Sequence, residues 1–247
     1  MKLSSIPTWN PTRNPTLFCL IALPLLLAAV VAALVTMGQP APVYQYAVVL
    51  PLAYLVGSIP WGYLFLHWFR KVDIRAYGSG RTGMTNVLRT GGGRIAAPVL
   101  LLDLAKGVVV VLLAREILAT TTSEVFAGLL ALAGHNWPVF LGFRGGRGIA
   151  TGLGGLLVMA PIPVVIGAVV FLPVTLISRY LSLGSITGTI TAAFALWALG
   201  LLGMYSTTYA WYAFIGGTII VWQHRDNIQR LWQGTERRLG VPASEIA

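Results

Sequence analysis

Long unbroken apolar runs, rather than alternating positions, organise this sequence of 247 residues. A bilayer crossing needs about 20 apolar residues, fewer where a segment is re-entrant or the bilayer is thinned. The runs extend from Leu17 to Met37, Val43 to Trp68, Ile95 to Ala114, Val125 to Phe143 and Ile149 to Ala160. Three more follow, from Val164 to Ser178, Leu183 to Met204 and Tyr209 to Trp222. A membrane barrel would show segments alternating apolar and polar, so the runs predict helices. The fifth and sixth are short and separated by Pro161 and Pro163. They read either as two helices or as one kinked helix.

Charge decides between these. Fifteen of the 17 Lys and Arg fall in the N-terminal segment, in the segments 70–94 and 144–147, at Arg179 and in the tail from Arg225. Eight crossings place all of these on one side, the cytoplasmic side under the positive-inside rule, whereas seven strand either Arg179 or the tail outside. Only Lys106, inside a run, and Arg115, at its far end, stand apart. The first run lacks a clear small-residue cleavage site and is long for a signal peptide, so it reads as a retained anchor.

Composition agrees. The chain is 56% hydrophobic and only 10% charged, with a mean hydropathy of +0.78, too little charge to cover a soluble domain. One cysteine, Cys19, excludes an internal disulfide. His67, His135 and His224 have no metal-ligand spacing. The net charge of +10 sits beside hydrophobic spans, so it suits anionic substrates and membrane lipid head groups; nucleic acid is not an expected partner.

Three polar segments on the basic side carry candidate chemistry. In the loop from Gly78 to Arg89, Gly78, Gly80 and Gly83 permit positive φ and close backbone approach, so amides can turn inward on an anion. Ser79, Thr85 and Asn86 add neutral donors, and Arg81 and Arg89 add forked guanidinium groups suited to phosphate. The second segment, Gly142 to Gly148, sets Arg144 and Arg147 among Gly145, Gly146 and Gly148 at the start of a helix, whose N-terminus attracts anions. In the third, His224 and Asn227 are three apart and share a face on a continuing helix. Inside the third run, Asp103 and Lys106 are spaced for an ion pair facing the bundle interior, with substrate contact as the other reading. His135 reads as a helix-to-helix hydrogen bond shaping the site.

In order along the chain, Gly57-Ser58-Ile59-Pro60, the GSGxxGxTNxxR loop at 78–89, Asp103-xx-Lys106-Gly107, Gly134-His135-xx-Pro138, Gly145-Gly146-Arg147-Gly148-Ile149-Ala150-Thr151 and His224-Arg225-xx-Asn227 resemble the PlsY-type acyl-phosphate:glycerol-3-phosphate acyltransferases. The resemblance covers about residues 46–240. It implies a core of seven transmembrane helices with an outside N-terminus. The fold expected is therefore an all-α integral membrane protein with one extra N-terminal transmembrane helix, divided into an extension (1–42) and an acyltransferase membrane domain (43–247).

The resemblance further implies acyl transfer from acyl phosphate to the 1-hydroxyl of glycerol 3-phosphate, in the bacterial plasma membrane, without cofactor or metal. Ser79, Arg89, Arg147, His224 and Asn227 would hold glycerol phosphate; the Gly-rich loop amides, Thr85 and Asn86 would cradle the acyl phosphate. Two positions depart from the family: Arg81 stands where Asn is usual, and Arg147 where Lys is usual. A transporter for organic anions or phosphate esters is the rival class. It would show an internal repeat of hydrophobic segments, and the two Gly-Arg loops differ in length and setting.

Overall fold

The computed structural model describes residues 42–245, besides the single position 29. The expected N-terminal helix lies outside the described residues, that one position aside, and the expected boundary at 42/43 falls where they begin. The described chain is helical: α1 (Pro42–Gly57), α2 (Trp61–Arg70), α3 (Met84–Gly91), α4 (Gly93–Leu118), α5 (Thr121–Asn136), α6 (Ile149–Met159), α7 (Pro161–Ser178), α8 (Leu181–Leu201), α9 (Thr208–Gln223) and α10 (Arg225–Trp232). Short 3₁₀ turns at Ile74–Ala76 and Val139–Leu141 complete it.

Among the described residues, four stretches are long and apolar enough to cross a bilayer: Pro42–Arg70, Gly93–Leu118, Pro161–Ser178 and Leu181–Leu201. Helices also stand at the other expected positions, but α5, α6 and α9 have only 16, 11 and 16 residues. The run Val43–Trp68 is broken at Ser58–Pro60, because Pro60 has no N–H to continue the ladder. The question at Pro161 is answered by Ala160, whose φ of −155° ends α6 before Pro161 opens α7. Two helices form there, not one kinked helix.

Glycine lets these helices pack backbone to backbone. A Cβ on Gly57 would strike the Ala131 carbonyl, and one on Gly107 the Thr151 carbonyl, so α1 lies tight on α5 and α4 on α6. By contrast α7 turns Val165, Val169, Leu172, Leu176 and Ile177 outward, the face a lipid-exposed helix presents.

At the end of the bundle far from the basic loops, one buried acid ties four helices. Glu124 on α5 accepts from Arg115 Nε (3.1 Å) and a guanidinium NH₂ (2.8 Å) on α4, and from the Tyr209 hydroxyl (2.9 Å) on α9. Arg115 also donates to the Val158 carbonyl on α6. Replacing Glu124 with Leu strands both partners, and the expected loss is about 2–4 kcal/mol. A lowered unfolding midpoint in detergent would register it; an unchanged midpoint would show that the cluster carries no stability.

Candidate functional site

The loop 78–89 folds around Asn86. This side chain is buried, its Nδ2 donates to the carbonyls of Tyr77 and Arg81 (2.9 Å each), and its Oδ1 accepts the Ser79 amide at 3.2 Å. Expected as a substrate donor, Asn86 instead commits its amide to shaping the loop. Gly78 and Gly80 take positive φ as expected, 59° and 66°. Gly83 does not: its φ is −73°, and it starts α3. Its value is proximity, since a Cβ there would lie 3.8 Å from Gly146 Cα and 3.9 Å from Arg147 N.

That contact brings the two Gly-rich segments together and sets the N-termini of α3 and α6 side by side. Unsatisfied first-turn amides and the helix dipoles make such ends attractive to anions. Gly148, with φ of 85°, turns the chain into α6. Gly145 and Gly146 back the turn: a Cβ on Gly145 would strike the His135 carbonyl, and one on Gly146 the His135 ring. Below the turn the Lys106 ammonium meets Asp103 Oδ1 at 2.7 Å, with His135 Nδ1 3.5 Å from the same oxygen, all three side chains buried. The interior ion pair expected from spacing is therefore present, and His135 bridges it from α5.

The meeting point opens into one cavity of about 340 Å³. Arg81, Thr85, Arg147 and His224 stand at its polar end, with Gly83, Asn86 and Gly148. Arg147 is partly exposed as a residue, yet its Nε is sealed from solvent and has no acceptor among the described residues. Burial, reinforced by the charges of Arg81 and Arg230, lowers its pKa to about 10, so it remains a cation at neutral pH. Arg144, expected to share the anion, is exposed on the turn and does not line the cavity.

His224 ends α9, and its Nδ1 lies 2.8 Å from the Ile220 carbonyl. A carbonyl only accepts, so Nδ1 carries the proton and Nε2 keeps a free lone pair. Burial first, then the Arg147 charge, lowers its pKa to about 4. Asn227 is buried beside it on α10, as the three-residue spacing required, although the helix is interrupted at His224.

Ser79, Arg89 and Asn227 are not in the cavity lining, and Asn227 is tied to an acid that the sequence did not single out. Glu236, nearly buried, accepts from Ser182 Oγ (3.0 Å), Asn227 Nδ2 (2.8 Å) and Arg230 Nε (2.8 Å). It is the only acid between Asp226 and Glu245, among Arg230, Arg237 and Arg238, and that isolation was its signal. Arg81 reaches Gln223 Oε1 (3.3 Å) and Asp226 Oδ2 (3.5 Å), tying the first loop to the α9–α10 junction.

The C-terminal segment then straps the loop. Gly78 N–H donates to Ser244 O (2.8 Å), Ala243 N–H to Arg89 O (3.1 Å), and Tyr77 pairs antiparallel with Glu245. The Arg89 guanidinium donates to Arg237 O, and that of Arg237 to Gly78 O, both at 3.1 Å. Burial holds Arg89 below the ordinary guanidinium pKa.

A family model described as glycerol-3-phosphate acyltransferase matches residues 47–234. The glycerol-3-phosphate acyltransferase 3 of Dehalococcoides mccartyi is 46% identical over 200 residues, covering 76% of this chain and 93% of that protein. A glycerol-3-phosphate acyltransferase of Thermoanaerobacter is 44% identical, covering 79% and 97%. Crystal structures of PlsY (YgiH), described as an integral membrane glycerol 3-phosphate acyltransferase, superpose with TM-scores of 0.73 in the glycerol 3-phosphate form and 0.71 in the lysophosphatidic acid form. They are 37% and 36% identical, cover 79% of this chain, and are themselves covered to 96% and 95%.

Fold and site together define a multi-pass, membrane-embedded acyltransferase. The chain belongs to the glycerol-3-phosphate acyltransferase family, and it is of the PlsY type.

Two outcomes follow from this geometry. With ¹⁵N-labelled histidine, His224 is expected to show a neutral, Nδ1-protonated ring down to pH 5. An unfolded histidine takes up its proton near pH ~6.5, and the folded one only near 4. The unfolded state thus binds more protons between these values, so the His224 contribution to stability falls as the pH drops from about 6.5 towards 4. An imidazolium signal at pH 6 would contradict the assignment. Ending the chain at Gly240 removes the Ser244 and Ala243 bonds. Amide exchange across 78–89 is expected to speed up about fivefold or more, at roughly 1 kcal/mol per lost bond, with α4 unchanged; unaltered loop exchange would rule out the strap.

Proposed function

We propose that this chain moves a fatty acyl group from acyl phosphate to the 1-hydroxyl of glycerol 3-phosphate, on the cytoplasmic side of a bacterial plasma membrane, giving lysophosphatidic acid and inorganic phosphate. The observation that carries the reading is Arg147: a cation paired with no acid among the described residues, at the polar end of a largely apolar cavity. Such a group needs an anion, which glycerol phosphate supplies, and the apolar cavity below suits the acyl tail of the other substrate. Glycerol 3-phosphate enters as the acceptor because the names of the relatives and of the solved structures carry it. The side follows from the fifteen basic residues and the positive-inside rule.

In this reading Arg89, Arg147, Ser79, His224 and Asn227 hold the glycerol phosphate. The amides opening α3 and α6, with Thr85, cradle the acyl phosphate, and Arg144 supplies only long-range charge. No cofactor or metal is required, since an acyl phosphate already has a good leaving group and positioning with charge stabilisation lowers the barrier.

The hydroxyl oxygen attacks the acyl carbonyl carbon; the new ester C–O bond forms as the C–O bond to phosphate breaks, and phosphate departs with the electron pair. The hydroxyl proton passes to a substrate phosphate oxygen. A phosphomonoester has its second pKa near ~6, closer to working pH than His224 at about 4, so the substrate is the better base. With Nδ1–H committed to Ile220, His224 Nε2 accepts from the glycerol 2-hydroxyl and so orients the acceptor, leaving the 1-hydroxyl proton to the phosphate.

The test is the purified protein with palmitoyl phosphate and labelled glycerol 3-phosphate. Arg147→Ala is expected to lower kcat/KM by about 10²–10³-fold, the scale of a lost charge-stabilising donor, and Ser79→Ala by about tenfold. Acylation from acyl-CoA but not from acyl phosphate would refute the donor. Uptake of glycerol phosphate into vesicles without acyl product would replace the enzyme by a transporter.

A further inference from the structure

We propose that Asp103 and His135 are positioning residues that set the anion-binding turn carrying Arg147, and that Lys106 cancels the charge of Asp103 beside the bound anion. This rests on the acyl-transfer reading above and adds to it residues that act on glycerol phosphate through the turn.

The turn has few groups of its own to fix it. Gly145, Gly146 and Gly148 flank Arg147 without side chains and leave the backbone unusually free. Its restraints come from the end of α5. Gly145 N–H donates to the Asn136 carbonyl (3.2 Å) and Gly146 N–H to the His135 carbonyl (3.0 Å). The His135 ring packs on Gly146 so closely that a Cβ there would strike its Nε2. Arg147 is the next residue, so a tilt of this ring displaces the backbone that carries the guanidinium.

The other edge of the ring faces Asp103. Its Nδ1 lies 3.5 Å from Asp103 Oδ1, and because a carboxylate only accepts, Nδ1 is the protonated nitrogen. Asp103 is itself locked to α6, the helix that the turn opens. Its carbonyl accepts from Thr151 Oγ1 at 2.9 Å, and a Cβ on Gly107 would strike the Thr151 carbonyl. The contacts thus close on themselves, from α6 to Asp103, from Asp103 to His135, and from His135 to the residue before Arg147.

The wall of the cavity explains Lys106. Asp103 and His135 line the cavity, whereas Lys106 does not. A bare carboxylate in the wall of a cavity that takes anions would repel them. The Lys106 ammonium, 2.7 Å from Asp103 Oδ1, cancels that charge from outside the lining. A link between α4 and α5 with no such duty is served as well by apolar side chains, because buried ion pairs add little net stability.

The experiment measures glycerol 3-phosphate binding to the purified full chain by isothermal titration calorimetry, without acyl donor. The unfolding midpoint, and kcat and KM with palmitoyl phosphate, are read alongside. Lys106→Met leaves Asp103 uncompensated and should weaken binding about tenfold or more. Two double variants are neutral at both positions. Lys106→Met with Asp103→Asn keeps an acceptor for His135 and should bind within about threefold of wild type. Lys106→Met with Asp103→Leu has no acceptor and should stay about tenfold or more weaker. His135→Leu, which leaves the ion pair intact, should match that weaker double. In every case kcat at saturation should change by no more than about threefold, since the loss falls on binding.

A role confined to stability would lower the unfolding midpoints while every folded variant bound like wild type, and that result would overturn the proposal. Equal affinities for the two doubles would overturn it as well. If the Asp103 variants do not fold, His135→Leu decides alone, with unchanged affinity as the contrary result. Wild type that binds glycerol 3-phosphate, with these differences among the variants, yet transfers no acyl group would instead overturn the acyl-transfer reading and leave the positioning role standing.

Discussion

Positive charge that the protein does not neutralise, held at the mouth of an apolar cavity, is the constraint on which the rest of the architecture depends. Burial lowers the pKa of Arg147, and the charges of Arg81 and Arg230 lower it further. Left alone, such a cluster would push its loops apart. Three devices hold it. Glu236 anchors Arg230 and Asn227 from a buried position. Asp226 and Gln223 occupy Arg81. The C-terminal strap pins the first loop from outside through backbone bonds, which add no charge. Compensation stops short of Arg147, whose Nε keeps no acceptor among the described residues.

Beneath the loops lies a second electrostatic layer. Asp103, Lys106 and His135 are buried where an isolated charge would be costly, so they are affordable only as a group. His135 links this layer to the site mechanically: its carbonyl accepts the Gly146 amide at 3.0 Å, and its ring leaves no room for a side chain there. The position of Arg147 thus depends on a charge network that touches the cavity through Asp103 and His135. Substituting Lys106 would act on the anion end through the turn it supports.

Much of this was legible in the sequence because periodicity, charge sidedness and glycine spacing are local signals. They located the described helices, grouped the basic loops, and singled out the three segments that converge. What escaped depends on partners distant in sequence. Asn86 reads as a donor until its three loop partners are in place. Gly83 reads as a positive-φ position until Gly146 and Arg147 arrive beside it. Arg144 and Arg147 look alike two glycines apart, yet one faces out and the other in. Glu236 gains meaning only from Ser182 and Asn227, contributed by two other helices. Helix lengths escaped for another reason: hydropathy continues through Ser58–Pro60, where the backbone ladder stops.

The two departures from the family pattern are consistent with one another. An Arg at position 147 brings a planar fork where a compact ammonium is usual, and the fork spreads its charge towards the first loop. An Arg at position 81, where a neutral amide is usual, would then add a second cation facing the first. The structure resolves this by turning Arg81 to Gln223 and Asp226, so its charge is partly spent on closing the loop against α9 and α10. Arg81 thereby exchanges a neutral contact for a latch, while Arg147, paired with no acid among the described residues, retains the charge that an incoming anion requires. A chain carrying Arg147 with Asn at 81 would keep that charge but lose the latch, and one carrying Arg81 without Asp226 would keep two cations with no acid between them.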